Sequence, residues 1–333
     1  MDADLHTLAV GRDAMACRFE AVFNAGEPDD ATQRGIDALE VVEALEARLT
    51  IHRPGGELSR LNAAAAGGWQ PVADDLFALL ERADELWRLT DGAFDMATGA
   101  LSRCWGFLRR SGRTPAAEEL AAALAVSGWG RVELDRAGRR IRFTTPGVEL
   151  NPGAIGKGYA LDRAAVALAG VPSFLLHGGS SSVVARGVQG PALPGRRGWR
   201  VGVRHPLRPQ TRLATLTLVD RALGTSGSGT QFFIDRGRRL GHILDPRSGS
   251  PAEGVLSATV LAPSAADADA LATAAYVLGP AGLDRIAPPG GTVAALVAVP
   301  ARTAGGVRVV TANLPDEAVE WSTEPGLEII RAS

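Results

Sequence analysis

The chain has 333 residues, of which 46% are hydrophobic and 22% charged, and its formal net charge is -2. These values are typical of a globular enzyme, and the small charge gives no electrostatic reason to expect nucleic acid or an anionic membrane as a partner. The two cysteines, Cys17 and Cys104, match neither a disulfide framework nor a metal-binding spacing, which favours a reducing compartment. No secretory signal and no run of about 18 apolar residues is visible. We therefore expect a soluble, cytoplasmic protein with no membrane insertion.

The first half of the sequence predicts a strand, three helices and a hairpin. Residues 15–23 alternate in polarity as a strand does, and the helices are recognised by apolar residues at helical spacing. Before the third helix, a hydroxyl is expected to cap the first turn and a proline to occupy its first position. The helices are expected from Asp30 to about Leu49, from about Asp74 to Leu89, and after Thr114–Pro115, and the hairpin strands at 131–134 and 139–143.

The second half is richer in strands. A helix ending near residue 169 follows the segment 149–158, and a later helix carries Asp269. Strands are expected at 173–176, 182–185, 199–203, 213–219, 232–234, 256–261, 293–299 and 307–310. Strands and helices mix without strict alternation, so we predict an α+β fold. With neither an internal repeat nor a long linker, residues 1–333 are expected to form a single large domain of mixed sheets with packed helices.

Three residues in the second half suggest chemistry. His242 lies between turn-forming residues, so its imidazole is a candidate base. Asp269 and Thr273 are four positions apart on the predicted helix, which puts a carboxylate and a hydroxyl on one face. Such hard oxygens suit Mg²⁺, which favours few protein ligands together with substrate phosphates. Each residue alone also fits a structural role: the aspartate as a helix cap and the histidine as a loop residue.

The segment Gly153-Ala-Ile-Gly-Lys-Gly158 has two interpretations. Backbone amides at a helix start, together with Lys157, would attract a phosphate. The alternative is a tight turn with a solvated lysine. The segment is neither a Walker A loop nor a dinucleotide fingerprint, because it lacks a Ser or Thr after the lysine and has Leu161 at the third glycine position.

Several short segments follow one another along the chain: Met15-Ala-Cys, 53–62, Gly92-Ala-Phe-Asp-Met-Ala-Thr98, Trp105-Gly-Phe, 153–160, Gly178-Gly, Thr225-Ser-Gly, His242-Ile-Leu-Asp-Pro and Asp269-Ala-Leu-Ala-Thr273. Taken in this order, they resemble the FAD:protein FMN transferase family, also called the ApbE family. The resemblance covers residues from about 15 to 280, and its most specific parts are the His-Ile-x-Asp-Pro and Asp-Ala-Leu-x-Thr motifs.

The resemblance implies an enzyme with an ApbE-like (T-fold-like) domain that binds FAD with Mg²⁺. Such an enzyme transfers the FMN half of FAD to a Thr or Ser hydroxyl of an acceptor protein and releases AMP. By position, Asp269, Thr273 and the backbone carbonyl of Ala154 match metal ligands, and His242 matches the base that deprotonates the acceptor. The matched contacts to FAD are Met15, His52 (where relatives often have a Tyr), Ala93, Phe94, Asp95, Asn151, Lys157 and Ile243.

The matched residues also fit the chemistry. Lys157 and Mg²⁺ would neutralise a pyrophosphate, and Met15, Phe94 and Ile243 are expected to provide apolar walls for the flavin.

The chain departs from the family pattern in several places. Asn151 replaces an Asp, Ser180 replaces another, and Gly56 replaces a Ser. Many members carry an export signal or a lipid-anchoring cysteine, and neither is visible here. Two other functions stay open: an FAD pyrophosphatase that yields FMN and AMP, and a non-catalytic protein that stores FAD. Retention of His242 with Asp269 and Thr273 favours catalysis over storage.

Overall fold

The structure is a computed structural model, and it describes residues 6–190, 197–227, 229 and 231–332. Within these residues the strands are β1 (Thr7–Ala14), β2 (Cys17–Asn24), β3 (Gln70–Pro71), β4 (Val132–Asp135), β5 (Arg140–Phe143), β6 (Phe174–Gly178), β7 (Ser182–Arg186), β8 (Trp199–Arg204), β9 (Arg212–Leu218), β10 (Arg221–Gly227), β11 (Phe232–Asp235), β12 (Arg238–Gly241), β13 (Ser257–Ala262), β14 (Ala294–Pro300), β15 (Val307–Ala312), β16 (Val319–Trp321) and β17 (Leu327–Arg331). The helices are α1 (Ala31–Leu49), α2 (Glu57–Ala64), α3 (Asp74–Leu89), α4 (Gly99–Cys104), α5 (Ala117–Ala125), α6 (Gly156–Ala167), α7 (Ala265–Leu278) and α8 (Leu283–Ile286).

A nine-stranded sheet organises the described part of the chain, in the order β1-β2-β6-β7-β10-β13-β14-β15-β17. Its pairs are antiparallel except for β15 with β17, which are parallel. Smaller sheets form from β16-β9-β8, β3-β5-β4 and β11-β12. This architecture confirms the predicted α+β class. Among the described helices, none combines the length and the apolar character needed to cross a bilayer.

The large sheet is covered on both faces, which explains why the central strand β13 is buried along its whole length. Ala258 and Val260 face the larger core, where α1, α6 and α7 pack. Leu261 faces a second core, shared with β8 and β9 through Trp199 and Leu216. A strand buried on both faces reads as a continuous apolar run, and this pattern is what made β13 recognisable in the sequence.

Two glycines bring α7 close to its neighbours. A Cβ on Gly158 of α6 would lie 2.0 Å from the carbonyl oxygen of Ala265, and one on Gly224 of β10 would lie 2.4 Å from the carbonyl of Ala268. Only a residue without a side chain allows this approach. The first turns of α7 therefore pack closely between α6 and β10, and this packing fixes the position of Asp269.

The predicted cap of the third long helix is wrong. Helix α5 begins at Ala117, and the Ala116 backbone N–H donates to the carboxylate of Glu119. The Thr114 hydroxyl instead donates to Asp235 on β11, at 2.8 Å. A long-range partner has replaced the local cap. The predicted bounds of α1 and α3 agree with the structure to within a residue.

Candidate functional site

A cavity of about 460 Å³ opens where the turn after β1, the start of α6, the end of β10, the segment after β12 and the second turn of α7 meet. All the predicted site residues except Met15 and Phe94 line it. Its lining includes Ala16, His52, Ala93, Asp95, Thr98, Ser102, Phe107, Leu108, Arg110, Asn151, Gly153, Ala154, Lys157, Ser181, Thr225, Ser226, Gly227, Gln231, His242, Ile243, Leu244, Pro246, Asp269 and Thr273.

Asp269 is buried and held by hydrogen bonds from two directions. The Gly158 backbone N–H donates to Oδ2 at 2.8 Å, and the Ser182 hydroxyl lies 2.7 Å from Oδ1 and 3.0 Å from Oδ2. Burial raises the pKa of Asp269, while the nearby charge of Lys157 and these hydrogen bonds oppose the rise. The N-cap of α7 is a different residue, Ser264, whose hydroxyl accepts from the backbone N–H of Asp267. The capping role that the sequence left open for Asp269 is therefore filled by Ser264.

Thr273 and Ala154 line the same cavity as Asp269, and their hydroxyl and backbone carbonyl are two further oxygens that could bind a metal. The Thr273 hydroxyl donates to the Asp269 carbonyl at 3.2 Å and lies 3.1 Å from the Ser226 hydroxyl. Gly158, whose N–H would reach the Ala154 carbonyl in a continuous helix, donates to Asp269 instead. In the described ranges no three His, Cys, Asp or Glu side chains cluster as a metal site. A carboxylate, a hydroxyl and a carbonyl form a hard-oxygen set, which fits Mg²⁺ with water and phosphate completing its coordination.

His242 follows β12 and is fixed by a single carbonyl. Its backbone N–H donates to the Gln231 oxygen at 3.2 Å, and its Nδ1 lies 3.1 Å from the same oxygen. A carbonyl can only accept, so Nδ1 carries the proton and Nε2 has the free lone pair. Burial lowers the pKa of His242, and Lys157 lowers it further. The imidazole is therefore neutral at neutral pH and able to act as a base.

Asp95 and Asn151 line the cavity and stabilise its backbone by accepting hydrogen bonds from main-chain N–H groups. Asp95 accepts from the backbone N–H groups of Ala97 at 2.7 Å and Trp129 at 2.8 Å, and burial raises its pKa to about 6. Asn151 accepts from the Gly153 N–H at 3.0 Å and so caps the short 3-10 helix that precedes α6. An aspartate could accept the same bond, so the turn does not need the family's carboxylate. Ser180, which replaces the second family Asp, is exposed.

Two expectations about the walls need correction. Phe94 is fully buried in the core, so its ring does not form a wall of the cavity. Met15 lies in the tight turn after β1 with φ of 48° and packs against the core, while its neighbour Ala16 lines the cavity. The aromatic wall comes from Phe107, which lies in the matching Trp105-Gly-Phe segment but is not among the residues matched to FAD contacts. Ser182, whose hydroxyl donates to Asp269, is predicted from the sequence only as the first residue of the strand at 182–185.

A model of the ApbE family matches residues 15–297, which is most of the chain. The chain belongs to the ApbE family. One ApbE relative, an FAD:protein FMN transferase of Rhodobacter capsulatus, is 36% identical over 70% of this chain, and the match spans 44% of that longer protein. An FAD:protein FMN transferase of Klebsiella pneumoniae (strain 342) is 30% identical over 72% of this chain and 69% of its own length.

A crystal structure supports the same ApbE membership. The flavinyl transferase ApbE of Pseudomonas stutzeri, in its apo form, superposes with a TM-score of 0.79 at 29% sequence identity. The match covers 94% of this chain and 96% of that one. The resemblance noted in the sequence and the predicted ApbE-like fold are thereby confirmed.

Proposed function

We propose that this chain is a Mg²⁺-dependent FAD:protein FMN transferase. It would transfer the FMN moiety of FAD to a Thr or Ser hydroxyl of an acceptor protein and release AMP. The observation that carries the proposal is the convergence of a neutral imidazole, His242, with Asp269, Thr273 and Lys157 in one cavity. The names of the relatives supply the substrate, and the cavity supplies groups suited to each part of the reaction.

The base is the first of these groups. A Thr hydroxyl is a weak nucleophile until its proton is removed. Nε2 of His242 would accept that proton, since Nδ1 is committed to the Gln231 carbonyl. The acceptor oxygen then bonds to the phosphorus of the FMN half, the bond from that phosphorus to the bridging oxygen breaks, and AMP leaves with the electron pair. The imidazolium that forms can return the proton to solvent.

The second group holds the pyrophosphate. Asp269, Thr273 and the Ala154 carbonyl would hold Mg²⁺, which when bound supplies charge neutralisation for the pyrophosphate and the departing AMP. Lys157, in the first turn of α6, adds a positive charge beside the amides of the helix start. Serine and threonine hydroxyls at Ser181, Thr225 and Ser226 line the same region and can donate to phosphate oxygens. These contacts orient the substrate while His242 acts on the acceptor.

The test is flavin attachment in the host. Cell extracts with and without the gene product are given FAD and Mg²⁺, and acceptor bands are detected by flavin fluorescence after denaturing electrophoresis. We expect a fluorescent band only when the protein is present. FMN and AMP formed without any labelled band would identify a pyrophosphatase, and FAD binding with neither product would identify a storage protein.

The location in the cell stays a prediction. Cys17 and Cys104 are both free thiols, which is compatible with a reducing cytoplasm. Cell fractionation with thiol labelling measures this directly. Recovery of the protein in the membrane fraction would contradict the cytoplasmic expectation.

A further inference from the structure

The hairpin formed by β11 and β12 stands at the rim of the cavity. Gln231 precedes its first strand and His242 follows its second, and both line the cavity. The hairpin pairs Phe232 with Gly241 and Asp235 with Arg238. In the described part of the chain it forms a separate two-stranded sheet. The hairpin therefore begins beside the proposed base and runs away from it.

One face of β11 is fully used inside the protein. The Gln231 side chain donates to the Phe107 carbonyl at 2.8 Å, and the Phe233 ring packs on the Phe107 ring at 5.9 Å between centroids. Farther along, Asp235 accepts from the Thr114 hydroxyl. Alternate residues of β11 thus follow the segment 107–114, as expected for the inward side of a strand.

The opposite face of β11 is apolar and exposed. Phe232 keeps 44% of its surface accessible and Ile234 keeps 69%. Solvent-facing strand positions are ordinarily polar, so two large apolar residues in a row on this face need a reason. The Arg239 guanidinium lies 3.8 Å from the centre of the Phe232 ring, so the apolar face also carries a positive charge.

The turn beyond this face carries a positive charge, although the chain as a whole has a net charge of -2. Arg236, in the turn between β11 and β12, is exposed. Among the described residues no acidic side chain forms an ion pair with Arg236, whereas Arg238 on the same hairpin is paired with Glu253. We call Phe232, Ile234 and Arg236 together the hairpin surface.

We propose that the hairpin surface docks the acceptor protein through a segment that carries apolar residues beside the modified hydroxyl and acidic residues farther out. This inference rests on the proposed function, because only a protein substrate has chain on both sides of the hydroxyl. With the hydroxyl at His242, an extended segment rising about 3.4 Å per residue passes Phe232 and then Ile234 within a few residues. Acidic residues beyond them would meet Arg236 in the turn.

The experiment follows isoleucine methyl groups by NMR in the full-length protein. The probe is a nine-residue peptide with a central threonine, a leucine on each side of it, two glutamates at each end and glycine at the remaining two positions. A second peptide has lysines in place of the glutamates. Ile234 reports the hairpin surface and Ile243 reports the cavity. Ile330, on β17 and 45% exposed, is the control for an apolar methyl elsewhere on the surface.

We expect the acidic peptide to shift the Ile234 signal and leave that of Ile330 in place, and to bind at least about tenfold more tightly than the lysine peptide. Ile234→Asp should weaken this binding at least about tenfold, whereas Ile330→Asp should not change it. Failure of the acidic peptide to move Ile234, or an equal response to both peptides, would overturn the proposal. The extract test of the proposed function is run on the same protein, so a protein that binds the peptide but labels no acceptor with flavin would refute the transferase and leave the surface standing.

Discussion

Replacing His242 with alanine separates a catalytic from a structural histidine. The change removes the imidazole bond to Gln231, worth about 0.5–1.5 kcal/mol of stability. The Gln231 carbonyl keeps its bond from the backbone N–H of residue 242, at 3.2 Å, so the end of the hairpin should hold its shape. Loss of a general base slows a reaction by about 10²–10⁴-fold, or about 2.7–5.5 kcal/mol of barrier. The kinetic loss should therefore exceed the folding loss clearly.

The assay compares FMN transfer rates, FAD affinity and urea unfolding of wild type and variant. FAD affinity should change little, because the base acts mainly in the transition state. Free imidazole should restore part of the rate. The matched control is His177→Ala, since Nδ1 of His177 is likewise held by a backbone carbonyl, that of Gly179, but His177 lies outside the cavity lining. A His242→Ala protein that transfers FMN at the wild-type rate would refute the assignment.

Three further predictions concern the metal, the fold and pH. Asp269→Asn should weaken Mg²⁺ binding, measured by calorimetry, by more than about tenfold, whereas Asp267→Asn on the same helix should not; equal affinities would remove Asp269 from the site. Gly158→Ala should lower the free energy of unfolding in urea by about 1–3 kcal/mol, because its Cβ would lie 2.0 Å from a carbonyl oxygen, whereas Gly67, which has open space around it, should tolerate alanine. Equal stabilities of the two variants would refute the close packing of α7 against α6. The transfer rate should rise with pH as His242 loses its proton. The midpoint of the rise should lie below the ordinary histidine pKa of about 6.5, because burial lowers the pKa of His242, and a midpoint above that value would contradict the role of His242 as the base.

Local patterns in the sequence were sufficient for the long elements. The apolar spacing in α1 and α3 indicates their bounds, because each helix buries one continuous stripe against the larger core. Strands with weaker patterns were missed. β1 is an edge strand with mostly exposed or partly exposed residues, and β10 is built largely from small residues, so neither has a clear alternation. Their places are set by pairing with distant strands, and a single sequence does not display pairing.

The site shows the same division. His242, Asp269 and Thr273 were identifiable from their motifs, and strand β13 between them brings both segments to one cavity. The hydrogen bonds that position these side chains cannot be predicted from the sequence. The Ser182 hydroxyl donates to Asp269, 87 residues away, and the imidazole of His242 is held by the backbone carbonyl of Gln231, a group that any residue type has. The burial of Phe94 and the exposure of Phe107 to the cavity depend on tertiary packing, so the wrong aromatic residue was chosen from the sequence.

The most direct measurement is the ratio of AMP released to FMN bound covalently on the acceptor. Purified protein is incubated with FAD, Mg²⁺ and the acceptor identified by its fluorescent band, and AMP is measured by chromatography while the labelled residue is located by peptide mass mapping. The transferase account predicts one AMP for each flavinylated Thr or Ser and no AMP when the acceptor is left out. AMP release that continues at the same rate without the acceptor, or labelling that is not matched by AMP, would contradict it.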